Sequence, residues 1–409
     1  KAYFINPEER SKEPVIIIDR NYQDRYNDPD SPITTKNKFG EHIMQVDGEY
    51  IYLEGDGYSP DGILPFIDKF DINTQDTERL WRAKANSKLE RIIFALDIKK
   101  GKILTRIESK NEYPNYYIRD IRKDDKKEVI TYFKNPFESL TNVQKELIKY
   151  KRNDGVDLSA TLYLPANYDK KSGKKLPMLM WAYPYEFKDA ASAGQITTSP
   201  NEFTYPWYGS PIFWVQRGFA ILDDASFPII GEGDEEPNDT FIKQLVANAK
   251  AAIDAVDSLG YIDSGKVAVG GHSYGAFMTA NLLSHSDLFA AGIARSGAYN
   301  RTLTPFGFQA EERNYWEAPK IYYNMSPFMH ADEMNSNLLL IHGEADNNSG
   351  TYPMQSERYF NALKGLGANV RLVMLPKESH GYRARESVLH VLWEQDQWLM
   401  KYVKNIDKK

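Results

Sequence analysis

Between residues 176 and 404 the sequence alternates between two periodicities. Apolar runs at 176–183, 219–224, 266–270, 290–295, 338–342 and 369–375 read as buried strands, and helix-period segments at 239–259, 275–285, 353–364 and 385–404 lie between and after them. Parallel strands need crossovers long enough to hold a helix, so this alternation predicts a mostly parallel sheet with helices on both faces, an α/β domain. The segment 239–259 is the clearest case. Behind a cap at Asn238/Asp239, apolar residues at 241, 242, 245, 246, 249, 252, 253 and 256 share one face.

The N-terminal third has a different texture. Residues 1–136 hold short apolar-aromatic runs between Asp, Asn, Gly and Lys turns, such as Glu49–Leu53 before Gly55-Asp56-Gly57, and Phe66–Phe70. Phe70–Thr74 and Leu96–Lys100 echo each other as strand, polar turn, strand. Tyr116–Ile121 and Glu128–Phe133, joined by 122–127, read as one more hairpin. Antiparallel strands of this kind build sandwiches, barrels or propeller pieces. Asn135-Pro136 marks the expected boundary. A short helical stretch near Glu138–Gln144 follows, then strands at 145–152 and 156–164 that turn at Asn153-Asp154-Gly155.

Composition closes off several function classes. The net charge of −6, from 51 Lys+Arg against 57 Asp+Glu, argues against general nucleic-acid binding, which needs a basic face. With 42% hydrophobic and 26% charged residues the chain is globular rather than disordered. No apolar run reaches the 18 or so residues of a membrane span. Cysteine is absent, which removes disulfides, thiolate metal sites and a cysteine nucleophile together. The seven histidines contain no His-Glu-x-x-His pair, which argues against a zincin; no metal and no cofactor are expected. The chain begins Lys1-Ala2-Tyr3, without initiator Met or leader, which fits a mature form or a fragment.

The chemistry concentrates at Gly270-Gly271-His272-Ser273-Tyr274-Gly275, between a strand over Lys266–Val269 and a helix that begins at Ala276. Strand, Gly-x-Ser-x-Gly, helix is the nucleophile elbow: the turn is too tight for side chains at its flanks, and it lifts the serine above the strand end. A serine hydroxyl needs a base to take its proton and a third group to orient that base. On this fold the partners follow in the order Ser, acid, His. Asp346 lies just past the strand Leu338–His342, with Glu344 and Glu378 as competitors for the acid, and His380 follows the strand Val370–Leu375. Ser273, Asp346 and His380 therefore sit at the C-terminal ends of strands, where α/β sheets gather their sites. His342 is expected to be a buried, hydrogen-bonded histidine and His272 to point elsewhere. The backbone N–H of Tyr274, directly after the nucleophile, is the natural oxyanion donor.

Ser273 in GGHSYGAFM, Asp346 in LLLIHGEADNN and His380 in KESHGY resemble the catalytic domain of the prolyl oligopeptidase family of serine peptidases, over roughly 137–409. WAYPYEFKDAA (181–191), PIIGEGDEEPND (228–239) and GIARSGAYNRTLTPFGF (292–308) are most similar to its glutamyl endopeptidase branch. The resemblance implies a β-propeller before the hydrolase domain, so residues 1–136 would be its last blades and 137–409 the peptidase domain. It implies a second oxyanion donor after the first hydrolase strand, where this chain departs from the usual tyrosine motif and offers Trp181 or Tyr183. It also implies that 293–301 lines the specificity pocket. That stretch carries Arg295 and Arg301, and an arginine fork suits a glutamate side chain on the acyl side of the cut. The expected function is hydrolysis of peptide bonds through an acyl-enzyme. A carboxylic-ester hydrolase or an inactive binding protein on the same fold are the alternatives. The resemblance favours a periplasmic or secreted location over a cytoplasmic one, and the sequence assigns no oligomeric state.

Overall fold

The computed structural model describes all residues except 6, 7, 9, 10, 124, 125 and 407–409. Eight strands form one mixed sheet, in the order Gln144–Lys151, Asp157–Leu164, Ala220–Ile230, Leu176–Phe187, Ile262–His272, Ala291–Arg295, Asn337–Gly343, Val370–Leu375. The first two strands pair antiparallel with each other, and Asp157–Leu164 pairs antiparallel with Ala220–Ile230. All later pairs are parallel.

One core packs the helices Phe241–Ser258, Tyr274–His285 and Met354–Gly365 around Leu245, Ala249, Phe277, Leu282, Tyr359 and Leu363. A second, around Ile341, Val391, Trp398 and Leu399, holds the helix Arg385–Leu399. The predicted apolar face of 239–259 is the buried one, with Phe241, Leu245, Ala249, Ala252, Ile253 and Val256 inside. Its start differs from the expected cap at Asn238/Asp239. A 3-10 turn over Pro237–Thr240 precedes the helix, held by a capping box between Glu236 and Asp239. The helical stretch expected near Glu138–Gln144 is a single 3-10 turn, Glu138–Leu140. Asn142 takes a left-handed φ of 69°, and Gln144 already belongs to the sheet.

The chain divides into two compact units, one of Lys1–Ser139 with Gln195–Tyr205, the other of Leu140–Gly194 with Pro206–Lys409. Assignment of 195–205 to the first unit has no sequence signal, because the return is made by aromatic packing. Phe203 and Tyr205 lie edge-on to Tyr113 at 5.2 and 5.9 Å between ring centroids. The first unit holds a five-stranded antiparallel sheet, which includes Tyr50–Gly55, Phe66–Asp71 and Thr77–Arg82. It also holds a four-stranded antiparallel sheet in sequence order, Leu89–Asp97, Lys102–Glu108, Asn115–Asp120 and Lys127–Val129. Both echoing segments turn one strand back on the next, as read from the sequence. The last hairpin pairs Tyr117 with Val129, although 124 and 125 in its loop lie outside the described residues. No sheet closes on itself among the described residues. No helix there is long and apolar enough to cross a membrane.

Candidate active site

Ser273 ends the strand Ile262–His272 and caps the helix Tyr274–His285, with φ 58° and ψ −115°. A non-glycine residue rarely adopts this backbone, which is the strained conformation of a nucleophile elbow. Its N–H donates to the Arg295 carbonyl at 2.8 Å, while the N–H groups of Ala276 and Phe277 close the first turn on its own carbonyl. The glycines are steric requirements. A Cβ on Gly271 would lie 2.4 Å from the Gly275 carbonyl group, and one on Gly275 would lie 2.6 Å from the Ala182 oxygen. The Tyr274 ring stacks on Phe277 at 5.2 Å, and its hydroxyl donates to Glu186 at 2.6 Å. Its backbone N–H is among the first-turn donors that a helix leaves without an internal partner.

Asp346 and His380 come from loops after two neighbouring parallel strands, Asn337–Gly343 and Val370–Leu375. Gly343 lets these loops touch, since a Cβ there would meet the Ser379 and Glu378 carbonyl oxygens at 2.3 and 2.4 Å. The Ala345 N–H then donates to the Glu378 carbonyl at 2.8 Å. His380 Nδ1 stands 2.8 Å from Asp346 Oδ2 and 3.1 Å from Thr351 Oγ1. The same carboxylate oxygen accepts from Thr351 Oγ1 at 3.1 Å and faces His342 Nε2 at 3.0 Å, and Oδ1 accepts the Asn348 N–H at 2.9 Å. Burial alone would push the Asp346 carboxyl up. Hydrogen bonds from His342, His380 and the Asn348 N–H outweigh it and hold the group at about 2. An ionised acceptor fixes the rings: His380 presents Nδ1–H to Asp346 and keeps Nε2 as an acceptor.

The competitors for the acid have different surroundings. Glu344 is exposed, and Glu378 accepts the N–H groups of Arg383 and Ala384, each at 2.8 Å. His272 lies beside His380, with ring centroids 4.8 Å apart. Burial, then the nearby Arg295 and His380, depress its imidazole to about 3. His342 is fully buried, as expected, but its partner was not foreseen: Ser356 Oγ stands 2.6 Å from Nδ1, which leaves Nε2–H for Asp346.

The two arginines lie in separate cavities. Arg301 is buried over the faces of Phe277 and Phe308, 4.2 and 4.5 Å from their centroids, and joins Ser273, Tyr274, Phe308, Gln309 and Thr351 around a cavity of ≈ 400 Å³. Burial lowers its guanidinium to about 10, so it stays charged at neutral pH. It has no ion pair, and its Nε no hydrogen-bond partner, among the described residues. Arg295 stacks on Trp181 at 4.4 Å and spends its two terminal nitrogens on the Tyr208 and Gly209 carbonyls, at 3.1 and 3.0 Å. It lines a smaller cavity of ≈ 250 Å³ with Trp181, Tyr183, Tyr208, Asp223 and His272. Tyr183 packs on Tyr274, with centroids 5.8 Å apart, whereas the Trp181 ring covers Gly270.

A sharp strand-to-helix turn at Ser273 on a central strand of a mixed, mostly parallel sheet, with Asp346 and His380 on loops after later strands, gives the α/β-hydrolase fold. Solved structures agree on the fold. Dipeptidyl peptidase 4 from Porphyromonas gingivalis superimposes with a TM-score of 0.65 at 17% identity, covering 90% of this chain and 52% of that one. A putative dipeptidyl aminopeptidase IV from Bacteroides ovatus gives 0.67 at 16%, covering 91% and 54%. Within that class the chain carries a serine-peptidase domain of the prolyl oligopeptidase family, matched over residues 240–405. Residues 154–319 also match the X-Pro dipeptidyl-peptidase (S15) family. Among curated proteins, the chain is 51% identical to probable chloroplastic glutamyl endopeptidases of Oryza sativa subsp. japonica, over 416 residues, and of Arabidopsis thaliana, over 417. These alignments take in 98% of this chain but only 44% and 43% of those proteins, so it spans less than half the length of either.

Proposed function

We propose that this chain is the catalytic part of a serine peptidase that cleaves peptide bonds after glutamate. Ser273 Oγ attacks the scissile carbonyl carbon while His380 Nε2 takes its proton. His380 then returns that proton to the leaving amine as the C–N bond breaks. Water repeats the sequence on the acyl-enzyme, giving its proton to His380 and releasing the acid and Ser273. Asp346 holds the His380 tautomer and stabilises the imidazolium. The Tyr274 N–H and the Tyr183 hydroxyl stabilise the oxyanion. The packing of Tyr183 against Tyr274 favours it over Trp181, whose ring is engaged with Arg295.

The observation that carries the glutamate reading is Arg301, a buried guanidinium without an ion pair among the described residues, in the cavity that Ser273 lines. The volume, ≈ 400 Å³, lies in the range of small-ligand pockets, roughly 300–1,000 Å³. A bidentate carboxylate would add a direct ion pair to the field of the nearby Glu186, worth about 1.5–3 kcal/mol as a charge-assisted pair. Arg295 is less suited, because its two terminal nitrogens are committed to backbone carbonyls and only its Nε is left without a partner. The name shared by the two plant relatives supports the same specificity. We assign residues 137–409, apart from 195–205, to the peptidase domain and 1–136 to the last blades of a β-propeller, on the strength of the sequential four-stranded antiparallel sheet over Leu89–Val129.

A fluorophosphonate probe tests the nucleophile. It should label Ser273 alone, and undiminished labelling of a folded Ser273→Ala protein would refute the assignment.

A further inference from the structure

The helix that begins at the nucleophile ends at His285, on the opposite end from the reacting groups. There His285 meets His330, from the 3-10 run Pro327–Glu333, with ring centroids 4.5 Å apart and planes at 64°. Glu333 closes the group. Its Oε2 lies 3.6 Å from His285 Nδ1 and its Oε1 lies 3.5 Å from His330 Nδ1.

These separations are informative. A nitrogen–oxygen hydrogen bond spans about 2.7–3.2 Å, so neither contact is a good one. Two ligand atoms at about 2.0–2.1 Å from a tetrahedral zinc ion stand about 3.4 Å from each other. One ligand atom from each of His285, His330 and Glu333 falls within 4.8 Å of the other two, wider than about 3.4 Å, so the side chains would draw together around such an ion.

The chemistry of the donors fits as well. Nε2 of both rings is buried without a hydrogen-bond partner among the described residues, so neither imidazole is committed elsewhere. The C-terminal turn of a helix favours a cation. The Glu333 side chain is 53% exposed, which leaves a path from solvent.

We propose that His285, His330 and Glu333 form a binding site for a divalent cation of the zinc class, with a fourth position open to water. Two imidazoles and one carboxylate suit zinc and its late first-row neighbours rather than magnesium or calcium, which take oxygen ligands. The ion would tie the end of the nucleophile helix to the 327–333 segment, so its effect is on stability rather than on the reacting atoms.

The test is calorimetric titration of the whole chain with Zn²⁺, with thermal unfolding followed in parallel. The expected result is one tight equivalent that raises the unfolding temperature, weakened at least tenfold in Glu333→Gln and in His330→Gln. Glu333 is exposed, so its variant should unfold like the wild type when metal-free. His390→Gln serves as the control, since His390 and Glu394 approach to 3.3 Å on another helix. Its affinity should match the wild type. Loss of the tight equivalent in His390→Gln, wild-type affinity in both Glu333→Gln and His330→Gln, or no tight equivalent at all would each overturn the proposal.

Discussion

His342 Nε2 lies 3.0 Å from the Asp346 oxygen that His380 Nδ1 approaches at 2.8 Å, so one carboxylate oxygen serves two imidazoles. One ring is fully buried and anchored to Ser356, and the other belongs to His380, the base of the proposed mechanism. In that mechanism His342 is a positioning residue that holds the acid down and in place. Replacing His342 by Gln should lower kcat about tenfold with little change in KM, from loss of one hydrogen bond to a buried charge. With less to offset burial, the Asp346 carboxyl should rise and hold a proton on the His380 imidazole more strongly, so the acid limb of the pH–rate profile should move to higher pH. A profile that scales down without moving would mean that His342 only fills space.

The identity of the acid is tested by comparing neutral isosteres. Asp346→Asn should cost on the order of 10⁴ in kcat, because the amide favours the wrong His380 tautomer. Glu344→Gln, at an exposed position, should stay within about twofold of the wild type. Glu378→Gln should lower the unfolding temperature, since it loosens the loop that carries Arg383 and Ala384. A ranking with Glu344→Gln below Asp346→Asn would reassign the acid.

Two glycines carry the approach of one backbone to another. Gly275→Ala and Gly343→Ala would each push a Cβ within 2.6 Å of carbonyl oxygens that cannot swing aside. Each should destabilise by about 1–3 kcal/mol, the usual range for overpacking, and displace Ser273 or the Asp346 loop. Denaturant midpoints paired with single-turnover acylation rates would separate the two effects.

His272 should report on acid stability. Its folded value, about 3, lies below the ordinary 6.5, so the unfolded chain takes up this proton at a higher pH than the folded one. Its contribution is intact above pH 6.5 and is lost progressively as the pH falls from there towards 3. His272→Gln should therefore show a smaller drop in denaturant midpoint between pH 7 and pH 4.5 than the wild type.

The strand-helix alternation from 176 onward and the elbow at Ser273 were legible because each rests on local pattern: apolar periodicity, and glycines that a tight turn demands. Chain order proposes Asp346 as the acid, and the carboxylate's hydrogen bonds separate it from Glu344 and Glu378. The pairing with His342 was hidden, because both residues sit on one strand-to-loop stretch whose folding back no periodicity encodes. The arginines show the limit most clearly. Arg295 and Arg301 are six positions apart and look equivalent in sequence. Burial beneath different aromatic walls gives one to backbone carbonyls and leaves the other facing the Ser273 cavity. The His285–His330–Glu333 cluster joins residues more than forty positions apart, through packing of a helix end on a 3-10 run.

The most direct measurement is a cleavage-site profile on a diverse peptide mixture, read by mass spectrometry, using the complete protein that carries this chain and its Arg301→Ala variant. The account predicts cuts overwhelmingly after Glu, with Asp weaker, and at least a tenfold lower kcat/KM for Glu substrates in the variant. Equal turnover of Glu and Pro substrates, or a full Glu preference retained without Arg301, would contradict it.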